Sequence, residues 1–303
     1  MIVLRMPLMT LVLVVVLALV LCVPPVAGQA PPPVALGAGT SVPVPPGATE
    51  HVYKRVAGSE LKLYVFQPPD VKPSDRRPAV VYFPGGGWTN LRLDGGFRLA
   101  SRLASLGAVA IAATYRVRSV HDSTPYDSVA DAKSALRWVR EHAADLHIDP
   151  AHVAGVGDSA GSHVLLSAAL LDTLDERSEN RAISSKPDAL FLTAAVVTTV
   201  APDPSRATPQ QRNFLDFLGP RAMEISPVHH LTQNLPPTVI YHGKQDPLIP
   251  YDLVDEFCTK AKTLGNQCEL VGVDEAAHDV ARMKQAETDA GLIDFLKIAG
   301  YLR

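Results

Sequence analysis

The sequence predicts an α/β fold: a mostly parallel central sheet with helices on both faces. Three observations predict it. From residue 61 onward, apolar runs of strand length alternate with stretches of helical periodicity. Most of those runs are apolar throughout, as strands covered on both faces are. Of the 303 residues, about 255 remain after an export-type N-terminus and its linker, a size that one undivided α/β domain reaches.

The elements follow in order. "LKLYVFQ" (61–67) alternates and reads as a half-exposed strand. "PAVVYF" (78–83) and "AVAIAATY" (108–115) read as buried strands. Between them, "FRLASRLASLG" (97–107) reads as a helix stopped by Gly107. Over 126–146, Val129, Ala132, Leu136, Val139, Ala143 and Leu146 fall at helical spacing. Asp149-Pro150 turns the chain into the strand "HVAGVG" (152–157), and a helix follows Ser159. "ALFLTAAVV" (189–197) and "TVIYHG" (238–243) read as strands, and "YDLVDEFCTKAKTLG" (251–265) as a helix with a glycine stop. "CELVGV" (268–273) is the last strand and "VARMKQAETDAGLIDFLKIAG" (280–300) the last helix. The stretch 198–236 matches no element and is expected to cover part of a site.

Residues 1–28 have the order of a secretory signal peptide. Arg5 precedes an apolar run from Leu8 to Val23, then come Pro24-Pro25 and small residues up to Gly28. An uncleaved anchor is the competing reading. Lipid attachment at Cys22 is disfavoured by the bulky Leu21 before it. Residues 29–50 form a Pro-rich linker that stays extended, and 51–303 form the folded domain. The expected location is secreted or periplasmic, without membrane contact after signal cleavage. A net charge of -3 and the lack of a basic run argue against a nucleic-acid partner. Export leaves Cys258 and Cys268. They form one disulfide between the helix at 251–265 and the strand at 268–273, or remain two buried thiols; an oxidising compartment favours the bridge.

Gly157-Asp158-Ser159-Ala160-Gly161 lies where a strand ends and a helix begins. A G-x-S-x-G turn there holds a serine clear of the backbone, and bulky neighbours two residues away would collide. A serine hydroxyl needs a base, and the base a buried carboxylate. On such a sheet the partners follow in the order Ser, Asp, His after later strands. Asp246 in "YHGKQDPLIP" and His278 in "VDEAAHDVA" meet that order at strand carboxyl ends. His242 is expected to point into the fold. His229 and His230 precede the strand that delivers Asp246. Asp274 and Asp279 flank His278 too closely, and Asp252 and Asp255 read as surface positions. "YFPGGGW" (82–88) follows an early strand, and its glycines let N–H groups approach a substrate. Gly86, Gly87 and Ala160 are therefore the expected oxyanion donors. Trp88 either walls the site or packs. Asp158 reads as a support of the elbow and His163 as a packed residue behind it. No histidines and carboxylates stand at metal-ligand spacing, and no cofactor is expected.

With these motifs the chain resembles the α/β-hydrolase superfamily, and more closely its hormone-sensitive-lipase-like and acetylxylan-esterase-like carboxylesterases. The resemblance covers roughly residues 55 to 298, through "GGGW" (85–88), "TYRV" (114–117), "SVADAKSALRWVREHA" (128–143), "GDSAG" (157–161), "PPTVIYHGKQDPLIP" (236–250) and "AAH" (276–278). It implies an α/β-hydrolase fold over 51–303 and an ester-cleaving serine hydrolase with Ser159, Asp246 and His278 as triad. Two positions depart from the family pattern. Pro84 stands where the family has a histidine that buttresses the glycine loop, and Ser162 where it has a second glycine. The Pro-rich segment before the first strands leaves little or no N-terminal cap. An open site of this kind suits acetyl esters on a polysaccharide, and an amidase, a formamidase or a lipid-type esterase is the alternative. A binding protein on the same scaffold is disfavoured because all three positions are filled.

Overall fold

The computed structural model describes residues 42–56, 58–201, 212 and 216–303. The chain divides into two units, Met1–Pro32 and Pro33–Arg303. The first, with residues 1–28 expected as a signal peptide, lies outside the described residues, as does most of the expected linker at 29–50. All described residues belong to the second unit.

Among the described residues, eight strands form one sheet in the order β1-β2-β4-β3-β5-β6-β7-β8. They are β1 (Ala48–Val56), β2 (Ser59–Phe66), β3 (Arg77–Phe83), β4 (Val109–Ala113), β5 (Ile148–Asp158), β6 (Ala189–Thr193), β7 (Thr238–Gly243) and β8 (Cys268–Val273). β1 pairs antiparallel with β2, and β2 antiparallel with β4. Every other pair is parallel. The carboxyl ends of β3, β5, β7 and β8 therefore emerge at one edge of the sheet.

Helices whose bounds fall among the described residues are α1 (Asp94–Ser105), α2 (Arg118–His121), α3 (Pro125–Glu141), α4 (Ala160–Leu170), α5 (Tyr251–Thr263), α6 (Val280–Met283) and α7 (Gln285–Ile298). The side-chain alternation of the strands assigns them to two faces. Val81, Ile111, Leu192 and Ile240 meet α3, α4 and α5 on one face. Val80, Ala112, Val156 and Phe191 meet α1 and α7 on the other. α3 begins where Pro125 occupies the first turn and the Asp127 carboxylate accepts from the Thr124 N–H. Its buried Asp131 pairs with Arg116 and with Lys54 of β1, and its buried Lys133 and Arg137 share Asp175. These pairs tie β1 and the connection after α4 to the helix.

Several expectations need correction. β2 is buried on both faces from Leu63 to Phe66, because Phe97 of α1 packs on Tyr64 and Phe66 while Leu63 and Val65 face the core on the other side. β1 is an additional strand; it takes up Ala48–Glu50, the end of the linker segment. The strand expected over 189–197 ends at Thr193, because Ala194 takes a left-handed φ of 47°. The last helix is broken at Lys284, whose φ and ψ of -123° and 41° are not helical. Within 198–236, residues 202–211 and 213–215 lie outside the described residues, and 3₁₀ turns form at Ala222–Ile225 and Pro227–His229.

Cys258 of α5 and Cys268 of β8 are joined in a disulfide. Closing a loop with a sequence separation of 10 removes denatured-state entropy equal to about 2–3 kcal/mol of stability. The double variant C258A/C268A is expected to melt about 5–10 °C lower in calorimetry, with the wild type moving equally in reductant. Unchanged melting would show that the bridge contributes nothing to stability.

Candidate active site

Ser159 lies between the last residue of β5 and the first of α4, at φ 49° and ψ -116°. This conformation is costly for a residue with a side chain and persists only where neighbours enforce it. The neighbours are backbone. A Cβ on Gly161 would lie 2.0 Å from the Phe83 carbonyl oxygen, and one on Gly157 would lie 2.7 Å from the Gly161 carbonyl. The Ser159 N–H donates to the Thr193 carbonyl at 3.0 Å. Ala160 opens α4, so its N–H has no partner within the helix.

Loops after β7 and β8 bring Asp246 and His278 to this turn. Ser159 Oγ is 2.8 Å from His278 Nε2, and His278 Nδ1 is 2.8 Å from Asp246 Oδ2. A carboxylate only accepts, so Nδ1 carries a proton and Nε2 accepts from the serine hydroxyl. Asp246 Oδ1 accepts from the N–H groups of Leu248 and Ile249 at 2.8 and 3.0 Å. Burial alone would lower the His278 pKa, but the hydrogen bond and charge of Asp246 outweigh it, and the net shift is upward. Burial would raise Asp246; hydrogen bonds from His242 and His278, with the His278 charge, hold it well below the usual carboxylate range.

The other candidates are occupied elsewhere. Asp274 pairs with Lys244 and Asp279 with Arg282, while Asp252 and Asp255 are exposed. His229 bonds Ser226 Oγ and His230 the Met223 carbonyl. His242 does point into the fold, but it also brings Nε2 within 3.2 Å of Asp246 Oδ2. Sequence reasoning missed this contact, although the spacing of four residues around a tight turn was visible.

Gly85, Gly86 and Gly87 line the same cavity as Ser159 and His278. Gly86 and Gly87 take φ of 133° and 61°, and the Gly86 carbonyl accepts from Thr89 and Asn90 N–H. A side chain at Gly86 would strike the Asn90 carbonyl oxygen at 2.0 Å. Among the described residues, the Gly86 and Gly87 N–H groups donate to no protein acceptor. Pro84, which stands where the family has a histidine, is held through its carbonyl by Tyr115. Its buried hydroxyl donates to the Pro84 carbonyl at 2.6 Å.

Trp88 is no cavity wall. It is 0% exposed and packs edge-on against His163, with ring centroids 4.9 Å apart. His163 Nε2 bonds the Ile225 carbonyl, and burial pushes its pKa down to about 4. Ser162, in place of the family's glycine, donates to the Ser159 carbonyl and accepts from Val196 N–H. Asp158 accepts from Thr193 Oγ1 at 2.8 Å, as an elbow support would, and also lines the cavity.

The cavity holds about 520 Å³ and runs from Ser159 between α1 and α7. Its apolar part includes Leu99, Val156, Phe191 and Leu292, and the same lining includes the Arg98–Asp289 ion pair at 2.7 Å. Described residues of 198–236 contribute nothing to the lining, while 202–211 and 213–215, on which the expected cover also rests, lie outside the described residues. The described ones pack on α4, through His163. Among the described residues, no group of three His, Cys, Asp or Glu is arranged to hold a metal ion.

The backbone contact at Gly161 allows a direct test. Gly161→Ala is expected to cost roughly 3 kcal/mol or more in denaturant unfolding, because backbone must shift. Gly95→Ala in α1 is the control. Its Cβ would meet nothing within 4 Å, and it should stabilise by about 0.5 kcal/mol. Equal effects would refute the close-packing account.

Comparison with known proteins agrees with this geometry. The BD-FAE family profile matches residues 63–260. Esterase 2 of Thermogutta terrifontis, in a form phosphonylated by sarin, is 36% identical, with a TM-score of 0.81 over 85% of this chain and 96% of that one. The same esterase with butyrate bound is 37% identical, with a TM-score of 0.78. The probable carboxylic ester hydrolase LipM of Mycobacterium tuberculosis is 28% identical over 75% of this chain. The chain spans 58% of that relative's length. The profile match over more than half of the chain, and the structural likeness at this level of identity, show that the chain belongs to the BD-FAE family, within the α/β-hydrolase superfamily.

Proposed function

We propose that the protein is an exported serine carboxylesterase that cleaves short-chain acyl esters, with acetyl groups on a polysaccharide as the natural substrate class. The observation that carries the reading is the unbroken row Ser159–His278–Asp246 beside a loop with free N–H groups. Ser159 Oγ attacks the ester carbonyl while His278 Nε2 takes its proton. Asp246 keeps the imidazole oriented and stabilises its charged form. The N–H groups of Gly86, Gly87 and Ala160 receive the oxyanion, aided by the positive end of α4. His278 returns the proton to the departing alkoxide, leaving an acyl-serine. Water, deprotonated by His278, then releases the acid and restores the serine. The disulfide and the composition of residues 1–28 support export.

The cavity supports a short acyl group. Its apolar floor accepts a few carbons, whereas a longer tail would desolvate the Arg98–Asp289 pair. In a p-nitrophenyl series, acetate to butyrate should turn over fastest and octanoate slowest. Ser159→Ala should lose at least ~10⁴-fold. Rates that rise toward octanoate would overturn the short-chain reading, and full activity in the variant would overturn the nucleophile. Release of acetate from acetylated xylan tests the polysaccharide.

The pH profile is a separate check. His278 acts as a base only when neutral, so kcat/KM falls as pH drops through its pKa. Burial opposes the charged form, but Asp246 outweighs burial and raises the pKa, so the acid limb should lie above the ordinary value of 6.5. Asp246→Asn removes the charge. It should move the limb to lower pH and reduce kcat by about 10³–10⁴-fold. A limb unmoved by that change would rule out His278 as the titrating base.

A further inference from the structure

We propose that His242 is a positioning residue for the reaction, a second imidazole that holds the Asp246 carboxylate in place for His278. The inference rests on the serine-esterase reading of the site. His242 is the penultimate residue of β7 and 0% exposed. Its Nε2 lies 2.9 Å from the Ile249 carbonyl oxygen and 3.2 Å from Asp246 Oδ2. Both partners are acceptors, so the proton sits on Nε2, bonded to the Ile249 carbonyl and facing the Asp246 carboxylate at 3.2 Å. Nδ1 is buried without a hydrogen-bond partner.

The consequence is geometric. Asp246 Oδ2 accepts from His278 Nδ1 at 2.8 Å and stands 3.2 Å from His242 Nε2, and Oδ1 accepts from two backbone N–H groups. With these four donors engaged, the carboxylate has one preferred orientation. The His242 donor also ties the start and the end of the turn 246–249 to the last residues of β7. The next residue, Gly243, brings in the other loop. A Cβ there would lie 2.4 Å from the carbonyl oxygens of Ala276 and Ala277, immediately before His278. Gln245 N–H donates to the Ala276 carbonyl at 3.0 Å. His242-Gly243 thus sets the carboxylate and the loop of the base against one another. Without the His242 donor, Asp246 loses one restraint on the oxygen that orients His278.

The test compares three variants. The amide nitrogen of Gln reaches the position of ring Nε2, that of Asn stops at the position of Nδ1, and Leu has no donor. On p-nitrophenyl acetate, H242L and H242N should lose about 10–100-fold in kcat with KM within about twofold, and H242Q should stay within about fivefold of wild type. The downfield proton resonance of His278 Nδ1–H, identified by its absence in H278Q, should broaden in H242L and H242N and persist in H242Q. Equal kcat losses in all three variants, an unchanged kcat in folded H242L, or a change in KM alone would overturn the proposal. Should H242L not fold, the Gln and Asn variants decide by the same criteria. A wild type inactive on every ester would instead sink the esterase reading, while the resonance still reports on positioning.

Discussion

The site depends on one steric constraint, the contact of bare backbone at the serine turn. Gly161 approaches the carbonyl of Phe83 so closely that no side chain fits between them. Phe83 ends β3, and the glycine loop starts two residues later, at Gly85. The same contact that holds Ser159 at its strained φ therefore fixes the distance from the serine to the loop. A second backbone bond, from Ser159 N–H to Thr193, ties the turn to β6 on the other side. The serine is held by the three central strands, and its strain is supported by the whole sheet.

The electrostatics follow from that frame. Asp246 is a buried carboxylate, and an unpaired one would be costly. Four donors satisfy it, and its charge is what raises the His278 pKa against burial. A second group of buried charges lies on α3, where Asp131, Lys133 and Arg137 each find partners. These pairs organise connections, and none of them lines the cavity around Ser159. The cavity lining combines apolar residues of the sheet, α1 and α7 with the Arg98–Asp289 ion pair.

Much of this was legible because strand and helix periodicities are strong over long segments. The strands that deliver Ser159, Asp246 and His278 end within a residue of where the sequence places them. Misreadings occurred where neighbours override local pattern. The alternation in "LKLYVFQ" reads as a half-exposed strand, but Phe97 of α1 packs on Tyr64 and Phe66. The apolar run after Thr193 continues, yet the chain turns at Ala194 so that Val196 can meet Ser162. Trp88 was ambiguous because a tryptophan beside a glycine loop serves equally as a wall or as packing. The close approach of His163 decides it.

The sequence by itself determined the fold class and the order Ser159, Asp246, His278. Parallel strands put their carboxyl ends at one edge whatever the details of packing. It also determined where glycine is required, since a strained turn and a close approach leave no other residue. Tertiary structure alone decided what supports these groups. Tyr115 steadies the glycine loop by reaching the Pro84 carbonyl from β4's side of the sheet. His242 meets Asp246 only because the turn at 246–249 folds back on β7. The cavity lies between α1 and α7, elements far apart in the chain. A hydrogen bond or cavity wall of this kind depends on distances between segments, and no local pattern encodes them.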